Sequence, residues 1–113
     1  MSPSDAASLF DVVSAVRTAM RYAQGMTQVE FLRNDVHQDA IIRQLSIAGE
    51  AVKRLSSEFR ADHSEVAWKD IAGFRDRVIH DYSRVDLNIV WEIIAIHGPA
   101  LVAAVEPLIP PTD

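Results

Sequence analysis

Apolar residues recur every three or four positions along most of this chain, which is the spacing of one buried face of an α-helix. The first such stretch follows Ser2 and Pro3, a favourable N-cap and a proline suited to the first helical turn. The stretch runs to Gly25, a residue type that commonly ends a helix. The pattern therefore predicts a first amphipathic helix that ends near Gly25.

The middle of the chain predicts a short helix followed by a long one. Thr27 and Glu30 have the spacing of a capping box, in which each side chain bonds the backbone N–H of the other residue. The longest apolar stripe comes next and predicts one helix from about residue 35 to residue 57. Because an interior glycine costs about 1 kcal/mol relative to alanine, Gly49 predicts close contact with another helix.

The last part of the chain predicts shorter elements and a final apolar helix. Residues 60–67 lack a clear period and are typical of a loop, whereas Trp68 to Ile71 can form one helical turn. The segment from Arg75 to Tyr82 is interpreted as helical. Asp86 is a suitable N-cap for the last helix, which Pro99 is expected to kink.

The elements together predict an all-α fold class. No strand-like alternation and no internal repeat is visible, so we expect a helical bundle with short connections. The 113 residues are expected to form one domain over 1–113, with an irregular tail over 108–113. Trp68 and Trp91 are expected in the core, with packing at an interface as the alternative.

Composition narrows the possible functions. The hydrophobic share of 49% with 24% charged residues argues against a disordered chain. The absence of cysteine excludes disulfides and thiolate metal sites. The histidines His37, His63 and His97 have no ligand spacing with one another, so we expect no cofactor and no structural metal.

Charge is distributed unevenly along the chain. A net charge of −5 argues against broad electrostatic binding of nucleic acid. Residues 51–84 nevertheless hold seven of the eleven Lys and Arg residues against six acids, and the remainder holds four basic residues against ten acids. This pattern allows a local cationic site on an acidic body, and it equally allows an acidic face that meets a basic partner.

The sequence also predicts where the protein resides. No run of consecutive apolar residues approaches the roughly 18 needed to cross a bilayer. The first residues, from Met1 to Asp5, lack the basic and apolar regions of a secretion signal. We therefore expect a soluble cytoplasmic protein with no membrane partner.

The segment from Arg75 to Tyr82 has the residue types needed for phosphodiester chemistry. Arginine binds phosphate as a planar fork, and histidine exchanges protons near neutral pH. On an ideal helix of 100° per residue, Arg75 and Tyr82 lie on one stripe, and Asp76 and His80 are i,i+4 neighbours. Each residue also has a plainer explanation, because a single histidine, an arginine–aspartate pair or a tyrosine is more often structural than catalytic.

Arg75 and His80 would be about 140° apart on an ideal helix and would not converge on one ligand atom. Three explanations remain open. The helix is distorted, the long arginine side chain wraps round it, or a second copy of the chain completes the site across a two-fold axis.

The order and spacing of these residues resemble a known family. Arg75, His80 and Tyr82 match the Arg-x4-His-x-Tyr signature of HEPN-domain ribonucleases, and the chain most resembles the HepT-type toxins. Asp76 fits the polar position after the family's arginine. The other matching blocks, which cover nearly the whole chain, are Tyr22–Phe31, Ile47–Ser56, Trp68–Ile71 and Val85–Trp91.

This resemblance implies a four- to five-helix HEPN bundle that forms a homodimer with the Arg-x4-His segments facing each other. It implies metal-independent RNA cleavage, for which we expect His80 to move the proton, Arg75 to pair with the phosphate and Asp76 to orient His80. It also implies a toxin of a type VII-like toxin–antitoxin pair, neutralised by a minimal nucleotidyltransferase antitoxin that adenylylates Tyr82.

Two other functional classes remain as alternatives to this endoribonuclease. The first is a non-catalytic module on the same fold that binds a nucleotide or a partner, which the acidic net charge favours. The second is a purely structural helical dimer, which would make the motif an accident.

Overall fold

A computed structural model describes residues 1–81 and 84–111 of the chain, with residues 80 and 81 described by their backbone. The described part is mostly helical, as the sequence predicts. Its helices are α1 (Pro3–Ala23), α2 (Gln28–Leu32), α3 (Asp35–Lys53), α4 (Ser57–Asp62), α5 (Trp68–Ala72), α6 (Phe74–Val78), α7 (Leu87–Glu92) and α8 (Gly98–Val105). Two short strands, β1 (Ile79–Asp81) and β2 (Arg84–Val85), form an antiparallel pair that the sequence pattern did not predict.

The start of α1 and the connection to α2 form as predicted. The Ser2 hydroxyl accepts a hydrogen bond from the Asp5 backbone N–H at 3.0 Å, and Gly25 has a φ of 81° just beyond the end of α1. Thr27 and Glu30 form the reciprocal capping box at 2.9 and 3.2 Å. Hydrogen bonds from the backbone and hydroxyl of Thr27 hold the pKa of the Glu30 carboxyl below its usual value.

The predicted long helix ends earlier than expected. Helix α3 stops at Lys53 rather than near residue 57, and a new helix begins at Ser57 and extends to Asp62, into the loop expected over 60–67. The reason is tertiary, because Ser56 adopts an extended conformation and donates from its backbone N–H to the Asp5 carboxylate at 2.8 Å. Its hydroxyl caps α4 by accepting from the Phe59 N–H at 3.1 Å.

The close helix contact predicted from Gly49 is present. A Cβ atom at Gly49 would lie 2.9 Å from the carbonyl oxygen of Ile71, so the glycine lets the end of α5 rest on α3. Helices α1 and α3 form the most extensive helix pair, and α8 packs on α1. The buried core has two large parts and a small third part formed by Ala15, Val16 and Ala48. The first part contains Leu9, Val12, Val52, Phe59, Trp68 and Val105. The second part contains Ala19, Phe31, Ile41, Phe74, Val78 and Val90.

The two tryptophans lie in different surroundings. Trp68 is 5% exposed, and its indole N–H donates to the His63 carbonyl at 2.9 Å. Trp91 is half-buried with its ring 5.4 Å from that of Phe31. The expected core position is therefore confirmed for Trp68, whereas Trp91 keeps an exposed side.

The C-terminal helix spans Leu87–Leu108 and deviates from α-helical form where proline approaches. Asp86 caps its start by accepting from the Ile89 N–H at 3.2 Å, as predicted. A π-helical turn covers Ile93–His97, where Gly98 donates to the Ile93 carbonyl five residues back. Pro99 has no N–H to donate, so the predicted disturbance takes the form of this wider turn, and α8 continues beyond it.

The mean hydropathy of the C-terminal helix is higher than a count of consecutive apolar residues suggests. Over Leu87–Leu108 its best window has a mean hydropathy of 1.6, enough by length and composition to span a membrane, with 22% of that window buried. No run of consecutive apolar residues in this helix reaches 18, whereas an average over the window tolerates isolated polar residues such as Glu92 and His97. Helices buried in protein cores or interfaces share this profile, so the measure by itself does not indicate a membrane span.

Candidate active site

Helix α6 is held against the core by two apolar residues one helical turn apart. Phe74 is 4% exposed and Val78 is fully buried, and both belong to the part of the core that includes Ile41 and Leu45 from α3 and Val90 from α7. The i,i+4 spacing turns both side chains to the same side of this short helix. The anchoring fixes the direction in which the intervening residues point.

Three consecutive charged residues occupy the rest of α6. Arg75, Asp76 and Arg77 are all exposed. Two other arginines are paired with acids, Arg17 with Glu106 and Arg54 with Asp11. Within the described part of the chain, neither Arg75 nor Arg77 forms an ion pair, so α6 presents two guanidinium groups that are available to an anion.

The interpretation of Arg75 to Tyr82 as one helix is wrong beyond Val78. Ile79 has φ −105° and ψ 100°, which is extended backbone, and β1 follows directly. Of the three explanations left open by the sequence, a departure from helical form is therefore present. Helix α6 ends because the next residues pair with β2 instead of continuing its hydrogen bonds.

The end of α6 changes the relations expected among the site residues. Asp76 and His80 are not i,i+4 neighbours on a helix, so the geometric reason for Asp76 to orient the imidazole no longer applies. The expected stripe shared by Arg75 and Tyr82 involves a residue, Tyr82, that lies outside the described residues. Arg75 thus stands on a helix, whereas the backbone of His80 belongs to the following strand.

His80 occupies a special position in the strand pair. Ile79 is opposite Val85 and Asp81 is opposite Arg84, so the register changes by one residue between these pairs. His80 is the residue left over on β1, which is the arrangement of a β-bulge. Bulges redirect a side chain and are common beside active sites.

A backbone hydrogen bond joins the two ends of the strand pair that follows α6. The Asp86 backbone N–H donates to the Val78 carbonyl at 2.7 Å, joining the end of α6 to the residue that caps α7. Asp86 thereby has two structural tasks, of which the sequence predicted only the helix cap. The closure keeps the strand pair next to α6 and α7 on one side of the bundle.

Arg84 is a candidate site residue that the sequence reasoning passed over. It is exposed, it lies opposite Asp81 in the strand pair, and it forms no ion pair in the part of the chain that the structure describes. The signal available in the sequence was the excess of basic residues over 51–84, which includes it. Arg75, Arg77 and Arg84 together give the motif segment a local positive charge on an acidic protein.

This arrangement suits a phosphate-bearing ligand. Exposed guanidinium groups that are not neutralised by neighbouring acids offer paired N–H donors to phosphate oxygens. Among the described residues no group of three or more His, Asp or Glu side chains is placed to hold a metal ion. Glu50 on α3 forms an ion pair with Lys53 of the same helix at 3.3 Å.

Comparison with known proteins identifies the family of this chain. A family model described as "Ribonuclease HepT-like" matches residues 13–108, which includes the second half of α1 and every helix from α2 to α8. No solved structure matches the chain significantly.

Three curated relatives give the range of similarity. A "Putative RNase" of Caldanaerobacter subterraneus is 46% identical over 69% of this chain and 70% of its own length. A "Putative RNase" of Methanocaldococcus jannaschii is 34% identical over 91% of this chain and 85% of its own. A "Probable ribonuclease HepT" of Thermococcus cleftensis is 32% identical over 88% and 91%. With a family model matched along most of its length and relatives of this similarity, the chain belongs to the HepT-like ribonuclease family.

Proposed function

We propose that this protein is a metal-independent endoribonuclease in which Arg75 and His80 act on the scissile phosphate. The observation that carries the proposal is the Arg-x4-His spacing in a chain of this family, with Arg75 exposed on the anchored helix α6. The position of His80 at a bulge supports it, since a bulge can turn a side chain toward a ligand. RNA is the substrate that the names of the relatives support.

The proposed reaction is an internal transfer at phosphorus. His80 accepts the proton of a ribose 2′-hydroxyl, or gives a proton to the leaving 5′-oxygen, and the 2′-oxygen forms the new bond to phosphorus as the bond to the 5′-oxygen breaks. An unperturbed histidine pKa of about 6.5 suits either task at neutral pH. Arg75 pairs with the non-bridging oxygens and stabilises the charge that develops there.

Asp76 and Tyr82 complete the proposed site. Asp76 is retained as a residue that orients His80, supported by the polar position in the motif and no longer by helical geometry. Tyr82 is proposed to contact the substrate or to shape the cleft. We also propose a homodimer in which the two Arg-x4-His segments face each other, because Arg75 and His80 belong to different elements and a second copy can supply the missing side of a cleft.

The test is RNA cleavage by wild type, Arg75→Ala and His80→Ala, with Arg43→Ala as the control. Arg43 is exposed on α3 and forms no ion pair in the described part of the chain, so its loss removes a comparable cation. We expect cleavage to fall by about 10²-fold or more in both motif variants and to stay near wild type in the control. Integrity of tRNA and mRNA after induced expression and circular dichroism of each variant complete the measurement.

Equal cleavage by wild type and folded motif variants would contradict the proposal. The second candidate is a non-catalytic module that binds a nucleotide or a partner, and the net charge of −5 favours it. The same samples separate the two functions, because a binding module would retain RNA or nucleotide and leave the RNA intact.

We propose that the protein acts in the cytoplasm, as one domain, as the toxin of a toxin–antitoxin pair whose antitoxin is a minimal nucleotidyltransferase. Adenylylation of Tyr82 would place a bulky anionic nucleotide on the motif segment, where it would compete with RNA for Arg75. We expect the intact mass to increase by one AMP group after incubation with the antitoxin and ATP. An unchanged wild-type mass, or an equal gain in Tyr82→Phe, would exclude this modification.

A further inference from the structure

A pocket opens at the surface between α4 and α5. It encloses about 420 Å³ and is lined by residues of α4, of the connection over 63–67 and of the first turn of α5. Within the described part of the chain, none of its lining residues belongs to α6 or to the strand pair. We call this feature the α4–α5 pocket.

The polar groups that line the pocket are suited to an anion. Arg60 and Lys69 contribute two cations, and Ser57 and Ser64 contribute two hydroxyls. Among the described residues no Asp or Glu lines the pocket, although the protein has a net charge of −5. A concave surface with this lining attracts a ligand that is negatively charged and rich in hydrogen-bond acceptors.

These polar groups lack partners in the part of the chain that the structure describes. Arg60 Nε is buried and has no hydrogen-bond acceptor there, and the hydroxyls of Ser57 and Ser64 form no hydrogen bond. Neither Arg60 nor Lys69 forms an ion pair with the described residues. Because a buried N–H without an acceptor costs free energy, an acceptor that enters the pocket from outside is stabilised there.

The acids on the same stretch of chain do not neutralise the two cations. Glu65 is instead placed 3.6 Å from His63, so its carboxylate has a partner of its own. Asp62 and Asp70 are exposed, and neither forms an ion pair with a pocket cation. The positive charge of the pocket is therefore available to a ligand.

We propose that the α4–α5 pocket binds a phosphate group. The guanidinium of Arg60 offers paired N–H donors to two phosphate oxygens, the ammonium of Lys69 adds a compact positive charge, and the serine hydroxyls donate to the remaining oxygens. The phosphate belongs either to the backbone of an RNA strand, away from the scissile bond, or to a free phosphate compound. The site goes beyond the proposed function, because phosphate binding requires neither cleavage nor a second copy of the chain.

The chain places the pocket within reach of an RNA strand bound at the motif. The Lys69 carbonyl accepts from the Gly73 N–H at 2.8 Å, and α6 begins at the next residue. From the rise of a helix and the length of an extended chain, the Cα atoms of Lys69 and Arg75 are at most about 14 Å apart. An RNA strand held by Arg75 is therefore long enough to bring another of its phosphates to Lys69. This source of phosphate rests on the proposed function, whereas a free phosphate compound does not.

Trp68 lines the pocket and provides the measurement. The chain has two tryptophans, so Trp91→Phe leaves Trp68 as the only one, and Trp91 does not line the pocket. The full chain with this substitution is titrated with inorganic pyrophosphate, a soluble probe with two phosphate groups, while chloride keeps the ionic strength constant. We expect a saturable change in the fluorescence of Trp68.

Charge variants in the same background identify the binding groups. Arg60→Gln and Lys69→Gln are each expected to raise the dissociation constant for pyrophosphate at least about tenfold, as the loss of a charged hydrogen-bond donor does. Arg43→Gln and Lys53→Gln remove the same residue types from α3, outside the pocket, and are expected to bind like the parent protein.

A second pair of variants leaves both cations in place. Ala61 is exposed and lines the pocket, so Ala61→Glu adds a negative charge beside the bound phosphate and is expected to weaken binding at least about tenfold. Ala61→Gln has nearly the same shape without the charge and is expected to bind like the parent protein. Circular dichroism identifies any variant that fails to fold.

A short single-stranded RNA separates the two sources of phosphate. It is added to the His80→Ala variant in the same background, in which the proposed reaction does not consume it. If the RNA displaces pyrophosphate and Arg60→Gln weakens RNA binding, the pocket holds the RNA backbone. If pyrophosphate binds but the RNA does not displace it, the pocket serves a free phosphate compound. Either result supports the phosphate site.

Three results would overturn the inference: no saturable change in Trp68 fluorescence, the same change with chloride alone, or an unchanged dissociation constant in folded Arg60→Gln and Lys69→Gln. A protein that fails this titration but cleaves RNA through Arg75 and His80 would retain the proposed function and lose only the pocket. A protein that binds pyrophosphate without cleaving RNA would retain the pocket and lose the proposed function.

Discussion

At the scale of single residues, the carboxylate of Asp5 links two helices that are distant in the sequence. Asp5 is 4% exposed and accepts hydrogen bonds from the backbone N–H and the hydroxyl of Ser56, at 2.8 and 2.9 Å. The hydrogen bond from the Ser56 backbone is the main cause that lowers the pKa of this carboxyl below 3.8. The same Ser56 caps α4, so the start of α1 fixes the point at which α3 gives way to α4.

We expect Asp5→Asn to lower the thermal midpoint of unfolding by several degrees at pH 7. The amide has only one acceptor oxygen, so it cannot accept both hydrogen bonds from Ser56, and its NH₂ group would face a donor of Ser56. A carboxyl with a lowered pKa contributes stability that is fully present above its unfolded value and is lost as pH falls through the folded value. The difference from wild type should therefore shrink as pH falls below 3.8.

Thermal unfolding from pH 7 to pH 3 checks this expectation, with Asp39→Asn on the exposed surface of α3 as the control. A difference between wild type and Asp5→Asn that stays constant with pH would show that the carboxylate charge is not the source of the stability.

At the scale of elements, two helices end where tertiary contacts compete with helical hydrogen bonds. Helix α3 stops short because Ser56 is drawn to Asp5, and α6 stops at Val78 because Ile79 joins a strand pair. The helix propensities of the residues did not predict either helix end, because these preferences are small and tertiary contacts override them. The second ending matters most for function, because it separates Arg75 from His80 by a change of backbone conformation.

A second test at this scale uses the two glycines in the helices. An alanine normally favours a helix over glycine by about 1 kcal/mol, but a Cβ at Gly49 would press on the Ile71 carbonyl at 2.9 Å. We expect Gly49→Ala to lower the free energy of unfolding by roughly 1–3 kcal/mol, as overpacking does. Gly98→Ala is the matched control, because its Cβ would meet the flexible Met20 side chain at 3.2 Å.

Urea unfolding of the two alanine variants measures the change in the free energy of unfolding that each one causes. Gly98→Ala is expected to change the free energy of unfolding by less than about 1 kcal/mol, since Met20 can move. If the two variants unfold at the same urea concentration, the contact between α3 and α5 is not as tight as described.

At the scale of the whole molecule, the protein is acidic but presents its proposed chemistry on a basic segment. The net charge is −5, yet Arg75, Arg77 and Arg84 stand together on one strip of chain without acidic partners among the described residues. A localised cationic site on an anionic body favours a ligand that binds at one place over RNA held along a broad face. The apolar C-terminal helix adds a surface that one chain leaves uncovered.

The sequence by itself determined the helical class, the caps at Ser2, Thr27 and Asp86, and the close approach at Gly49. These follow from local side-chain chemistry and periodic burial, which one segment encodes alone. Motif spacing likewise identified the family to which the chain belongs.

Only the tertiary structure decided where α3 and α6 end, the strand pair that carries His80, and a groove of about 540 Å³ beside the C-terminal helix. Each of these features depends on residues that are far apart in the sequence, or on backbone pairing that no local sequence pattern predicts. The bond from Asp5 to Ser56 spans 51 positions, and the groove exists because residues 65–77 and 93–104 stand apart over a shared floor. Such features arise from the packing of the whole chain, which is why periodicity alone could not reveal them.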